Sequence, residues 1–251
     1  MDSPWFPFNH QVSTCKERFF CFPYGGGNPQ FYRAWQNKMP QGIEIVPVQL
    51  PGRGMRFHEQ NIDSVDQLIE ILAREILHYL DRPFFFFGHS FGSLISYELA
   101  SFLHDQYQKQ PNHLFVSGYH APHLPDPNPP IYHLPDDQFI DEVIAKNGMP
   151  KEILAQREYL DVFLPCLRAD FTAAETYQHK KRKLLTCPIT IFGGKDDHEA
   201  DFEHLEAWKE LTTGAFEKIL FPGDHFFIHS AENELIDTIV NRLRFKRSHS
   251  S

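Results

Sequence analysis

The chain has little of what a nucleic-acid or membrane protein needs. It carries 24 Lys and Arg against 33 Asp and Glu, a formal net charge of −9 at pH 7. That balance argues against a nucleic-acid backbone or an anionic bilayer surface as partner. No apolar run approaches membrane-spanning length, the Phe84–Phe87 block being far too short. The opening Met1-Asp2-Ser3-Pro4-Trp5 lacks the charged and apolar regions of a signal peptide. Cys15, Cys21, Cys166 and Cys187 follow no metal or disulfide spacing, which suits reduced thiols and a cytoplasmic location. Among 15 histidines there is no His-Glu-x-x-His or similar ligand spacing, so no metal is expected. The glycine-rich stretch at 25–27 is followed by neither Gly-Lys-Ser/Thr nor Gly-x-Gly-x-x-Gly, so neither a nucleotide nor an organic cofactor is expected.

What the chain does have is apolar mass and alternation. It is 41% hydrophobic and 14% aromatic over 251 residues, enough for one domain, 1–251, with an insertion. The stretch from Pro83 to Leu103 organises it. Four consecutive phenylalanines, Phe84 to Phe87, read as a buried parallel strand. Apolar residues at 91, 94, 95, 99, 102 and 103 then take helical spacing. Gly88-His89-Ser90-Phe91-Gly92 lies between. A nucleophilic serine stands on such a tight, strained strand-to-helix turn, with small residues where strand and helix nearly touch.

Strands and helices alternate on either side. Arg18–Phe22 reads as a strand running into Pro23-Tyr24-Gly25-Gly26-Gly27, either an oxyanion loop offering the Gly25 N–H or a flexible turn. Ile43–Val48 is a strand ending in Leu50-Pro51-Gly52-Arg53, where Arg53 and Arg56 pair with carboxylates or meet an anion. Ser64–Tyr79 is an amphipathic helix with Ser64 as N-cap. His113–Ser117 is another strand, and Gly118–Pro125 after it holds no Asp or Glu. Prolines then mark a break in composition. Helical segments Asp136–Lys146 and Ile153–Tyr177, with Pro165 starting or kinking the second piece, suggest an inserted lid over about 122–180. The alternation resumes with strands Pro188–Phe192 and Ala215–Phe221 and a last helix Ala231–Leu243. The expected class is α/β, a mostly parallel doubly wound sheet.

A serine hydroxyl needs a base, and the base an orienting acid. In doubly wound hydrolases these follow in the order Ser, acid, His, on loops at the carboxyl ends of later strands. The strand ending at Phe192 leads into Gly193-Gly194-Lys195-Asp196-Asp197, and that ending at Phe221 into Pro222-Gly223-Asp224-His225. Ser90, His225 and one of Asp196 and Asp197 are therefore the candidates. Asp224 reads as a turn former, and His198 and His204 as a solvated helix start.

These motifs resemble those of type II thioesterases, α/β-hydrolases that serve polyketide and nonribosomal peptide synthesis. Phe22-Pro23-Tyr24-Gly25-Gly26-Gly27 is similar to the family's F-P-Y-A-G-G, Leu50–Arg53 to L-P-G-R, and Gly88–Gly92 to G-H-S-M-G. Leu164-Pro165-Cys166-Leu167-Arg168-Ala169-Asp170 is similar to its L-P-x-L-R-A-D, and the two later loops to its acid and base loops. The resemblance implies an α/β-hydrolase fold and Asp196 as the acid of a Ser90, Asp196 and His225 triad. It implies an oxyanion hole from the backbone N–H groups of Gly25 and Phe91. The implied partner is an acyl or peptidyl carrier protein bearing acyl-phosphopantetheine, from which aberrant or stalled acyl groups are removed. A chain-releasing medium-chain thioesterase of fatty-acid synthesis and an inactive carrier-protein-binding module are the alternatives. Gly25 for Ala and Phe91 for Met are departures; both positions act through backbone groups.

Overall fold

Two aromatic runs form the middle of the sheet. In the computed structural model, which describes residues 3–8, 15–145, 157–200 and 202–247, β1 (Glu17–Phe22) lies parallel to β3 (Phe84–His89), with Phe19 opposite Phe85 and Phe20 opposite Phe86. Side chains alternate across a strand. Phe20, Phe22, Phe84 and Phe86 therefore enter one core, while Phe19, Phe85 and Phe87 enter the other. Phe22 and Phe86 meet edge to face at 5.0 Å and 73°, a favoured aromatic geometry. Both faces are buried, so alternation vanishes from the sequence and the strand reads as an unbroken Phe run.

The remaining strands are β2 (Ile43–Pro47), β4 (Leu114–Ser117), β5 (Ile189–Gly194) and β6 (Phe216–Phe221). The order is β2-β1-β3-β4-β5-β6, and all five pairings are parallel. The helices α2 (Val65–Ile76) and α3 (Phe91–Tyr107) cover one face. Ser64 caps α2, its side chain accepting the Gln67 N–H. The other face is covered by α1 (Gln30–Arg33), its 3-10 continuation Ala34–Lys38, and the last helix. From β1 the chain crosses one way to β2 and the other way to β3 and beyond. Such a switch point, at the carboxyl ends of the strands, is where open α/β sheets bind ligands.

Between β4 and β5 the alternation breaks. Here lie α4 (Asp136–Ala145) and α5 (Arg157–Glu175), which runs through Pro165 rather than starting there. Lys146 of the first expected helical segment and residues 153–156 of the second lie outside the described residues. Ile131, Phe139, Val143 and Leu167 form a small core of their own. Arg168 laces this excursion together: it donates to the carbonyls of Tyr132 and Leu134, at 2.6 and 2.8 Å, and to Asp136 at 2.7 Å. Short α6 (Phe202–Glu206) precedes β6. A single turn, α7 (Phe227–Ser230), then leads into α8 (Glu232–Arg247). Among the described residues no helix is long and apolar enough to cross a membrane.

Candidate active site

Ser90 sits between β3 and α3 with φ 52° and ψ −122°. For a side-chain-bearing residue this is strained backbone, costing about 1–3 kcal/mol and persisting only where the surroundings enforce it. The enforcement is visible. A Cβ on Gly88 would lie 2.0 Å from the Gly92 carbonyl oxygen, and one on Gly92 2.3 Å from that of Phe22. Strand and helix therefore touch through bare backbone, as the spacing of the glycines implied. The Ser90 N–H is held by the Ser117 carbonyl at 2.8 Å. Phe91 opens α3, so its N–H has no carbonyl partner within the helix.

His225 lies on the loop after β6 and is buried. Its Nδ1 is 3.0 Å from Oδ2 of Asp197. The resemblance implied Asp196 as the acid; the carboxylate that the structure brings to His225 is instead Asp197. The N–H groups of Lys195 and Asp196 bond to the carbonyls of Phe221 and Gly223, at 2.9 and 3.0 Å. The β5–β6 pairing thus continues beyond Gly194, and Asp196 is exposed. Asp197 is the first residue to turn inward, and its Oδ1 accepts the Glu199 N–H at 2.9 Å. Burial alone would lower the His225 pKa. The hydrogen bond and charge of Asp197, with Glu199 and Asp224 behind it, outweigh burial and leave it raised.

The loop after β1 is held from α5. Oδ2 of Asp170 accepts the Gly26 N–H at 2.7 Å. The same carboxylate forms a bidentate pair with Arg53, at 2.5 and 2.7 Å, both side chains being almost fully buried. One buried ion pair thus joins the Gly-rich loop, the Leu-Pro-Gly-Arg loop and the Leu-Arg-Ala-Asp helix. Arg56 bonds Glu59 and the Gln49 carbonyl and stands over the Trp5 ring. Both arginines are therefore structural partners, the first of the two roles the sequence allowed.

Ser90, Phe91, Gly25 and His225 line one cavity of about 90 Å³. Asp196 does not reach it. Tyr24, Phe171 and Phe226 supply aromatic wall, and His120, Asp126, Asn128, Glu175 and Glu199 a polar one. Of the polar group none was singled out from sequence. One signal was available for α5: Asp170, Phe171, Ala174 and Glu175 fall on one helical face. His120 follows β4 directly, in a loop scanned only for carboxylates. Burial lowers its pKa, against the charge of Asp126 and with that of His204. Asp224 shapes its turn as expected, accepting the Phe226 N–H at 3.0 Å. Among the described residues no His, Cys, Asp or Glu cluster suits a metal.

Comparison with known proteins identifies the family. Residues 17–243 match the thioesterase domain family. The chain is 43% identical over 245 residues to a protein of Brevibacillus parabrevis named linear gramicidin dehydrogenase LgrE, covering 96% of this chain and 93% of that one. Among solved structures it is similar to the RedJ thioesterase of the prodiginine pathway of Streptomyces coelicolor, with 36% identity, TM-score 0.84 and coverage of 91% and 86%. It is also similar to the type II thioesterase BorB of the borrelidin cluster, with 28% identity, TM-score 0.84 and coverage of 90% and 92%. The chain belongs to the thioesterase domain family, as a type II thioesterase of α/β-hydrolase fold.

Proposed function

We propose that this protein is a serine thioesterase that hydrolyses acyl groups from the phosphopantetheine arm of carrier proteins in nonribosomal peptide or polyketide synthesis, clearing stalled or aberrant acyl groups. The observation that carries the mechanism is the Asp197–His225 pair facing the cavity that Ser90 enters from its strained turn. His225 takes the Ser90 proton as Oγ attacks the thioester carbonyl. Asp197 holds the Nδ1–H tautomer and stabilises the imidazolium. The N–H groups of Gly25 and Phe91 stabilise the oxyanion, aided by the positive end of α3. The carbon–sulfur bond breaks, the thiol leaves with the proton from His225, and water repeats the sequence on the acyl-enzyme.

Two features favour short acyl groups over the medium-chain alternative. The cavity, at about 90 Å³, is smaller than one that holds benzene, about 150 Å³. Asp126, Glu175 and Glu199 on its wall would have to be desolvated against a long alkyl chain. The excursion carrying α4 and α5 acts as a lid that favours delivery by a long thin arm. Carrier proteins loaded with acetyl, aminoacyl and octanoyl groups should be exposed to the enzyme and to Ser90→Ala, and their intact masses followed. Loss of the short groups, with octanoyl retained and Ser90→Ala inert, is expected. Equal rates on matched CoA thioesters would remove the carrier-protein role.

A further inference from the structure

The mechanism leaves one buried titratable side chain unused. His89, between Gly88 and the nucleophile, has no exposed surface. Its ring centroid lies 5.0 Å from that of His225. Tyr24, Phe226 and Phe227 enclose it at 6.0, 5.9 and 5.7 Å. Gly118 closes another side: a Cβ there would come 2.7 Å from Cε1 of His89 and 3.4 Å from Cε1 of His225. The two imidazoles thus bear on the same piece of backbone.

Aromatic neighbours would suit a phenylalanine, as in the strand before. The histidine is explained by what its nitrogens meet. Nδ1 is 2.9 Å from Oγ of Ser117, which is itself fully buried and needs a partner. Ser117 is also the residue that holds the elbow. Its carbonyl accepts the Ser90 N–H, and its own N–H donates to Oγ of Ser93 at 2.9 Å. Oγ of Ser93 lies 2.9 Å from the Gly88 carbonyl oxygen. His89, the end of β4 and the strained serine therefore form one network. Nε2 of His89 is buried and makes no well-formed hydrogen bond, although the His225 backbone lies within the ring's reach.

We propose that His89 is a positioning residue for the general base: held by Ser117, its polar ring backs the imidazole of His225 and fixes where that ring sits. The other groups facing this pair are His229 and Tyr24 beside His89, and Asp197, Glu199 and Asp224 around His225. Burial first, then the charges of His225 and His229, push the His89 pKa well below the ordinary histidine value, against a hydrogen bond with the His225 backbone. His89 is thus the member of the pair that stays neutral while its neighbour takes up the proton.

The proposal rests on His225 acting as base for Ser90, but not on a carrier-protein thioester being the substrate, so 4-nitrophenyl butyrate is the probe. kcat and KM are measured for His89→Phe, His89→Gln and Ser117→Ala across the pH range in which His225 titrates. His89→Phe fills the slot without a bond to Ser117; it should lower kcat by about a hundredfold, the cost of a small misplacement. Its KM should stay within about twofold, and the rising limb of the pH profile should move to lower pH, because an apolar flank disfavours the imidazolium. His89→Gln can still bond Ser117 and should recover to within about fivefold of the parent. Ser117→Ala keeps every backbone bond of the elbow but unties the His89 ring, and should lower kcat in the same direction as His89→Phe. Equal kcat for the Phe and Gln variants, a loss confined to KM, or an unmoved pH limb would overturn the positioning role alone. An inert parent enzyme would overturn the base assignment and this proposal with it.

Discussion

At the scale of single residues the acid decides most. Asp197→Asn leaves His225 without the charge that orients it and should lower kcat/KM by about 10³–10⁴. Asp196→Asn, at an exposed carboxylate, should stay within about threefold. Steady-state hydrolysis of one thioester by both variants checks this, and a larger loss at Asp196 would reverse the choice. The same pair sets the pH dependence. In the proposed mechanism only neutral His225 takes the Ser90 proton, so activity should rise with pH through its raised pKa, and Asp197→Asn should move that limb to lower pH. Stability runs the other way. A histidine whose pKa is raised on folding contributes stability that is full below its unfolded value, about 6.5, and is lost as pH rises through the folded value. The choice between adjacent aspartates was not legible in the sequence. Chain order and loop position narrow the acid to 196 or 197, but which one turns inward depends on how far β5 stays paired with β6. That pairing runs through backbone groups and leaves no mark on side-chain identity. The same limit hid the partners of Arg168, which is tied to Tyr132, Leu134 and Asp136.

At the scale of elements the sequence was far more legible. A Phe run, a glycine-flanked serine and a segment of helical spacing have one economical arrangement, and the structure adopts it, with the helix buried on every side from Phe91 to Ser101. The glycines show why it is specific. Gly88→Ala would drive a methyl to 2.0 Å from backbone oxygen that cannot move without opening the elbow. A loss above about 4 kcal/mol, or failure to fold, is expected. Gly25→Ala is the contrast. A Cβ there meets only ordinary contacts, 3.8 Å from the Phe171 ring and 3.9 Å from Asp170, and alanine is what the family pattern has at this position. Gly25→Ala should fold and keep kcat/KM within about threefold, because the proposed oxyanion donor is a backbone N–H. Thermal melts and rates on the two variants test both halves. A collapsed Gly25→Ala would show that the loop needs glycine for more than room.

At the scale of the molecule, the site is assembled from segments remote in sequence, and the Arg53–Asp170 pair joins three of them. Arg53 comes from the loop after β2, Asp170 from the excursion, and the Gly26 N–H from the loop after β1. The sequence marked each motif without showing that they meet, since a buried ion pair 117 residues apart has no local pattern. Breaking the pair from one side exposes its cost. Asp170→Leu leaves a buried guanidinium unpaired and should lose about 3–5 kcal/mol, or roughly 10 °C in Tm at this chain length. Replacing both ends, as Arg53→Met with Asp170→Leu, removes the unpaired charge and should return most of that stability, since apolar substitutes for buried pairs are often neutral. Activity should not return with it. The Gly26 N–H would still lack its acceptor, leaving the oxyanion loop unheld one residue from Gly25, and kcat should remain about tenfold or more below the parent. Melting curves and single-turnover rates on the two variants separate these effects. If the double variant regained full kcat along with its Tm, the clamp would be a stability feature only, and the shape of the oxyanion loop would have to come from the turn that Gly27 closes onto Tyr24.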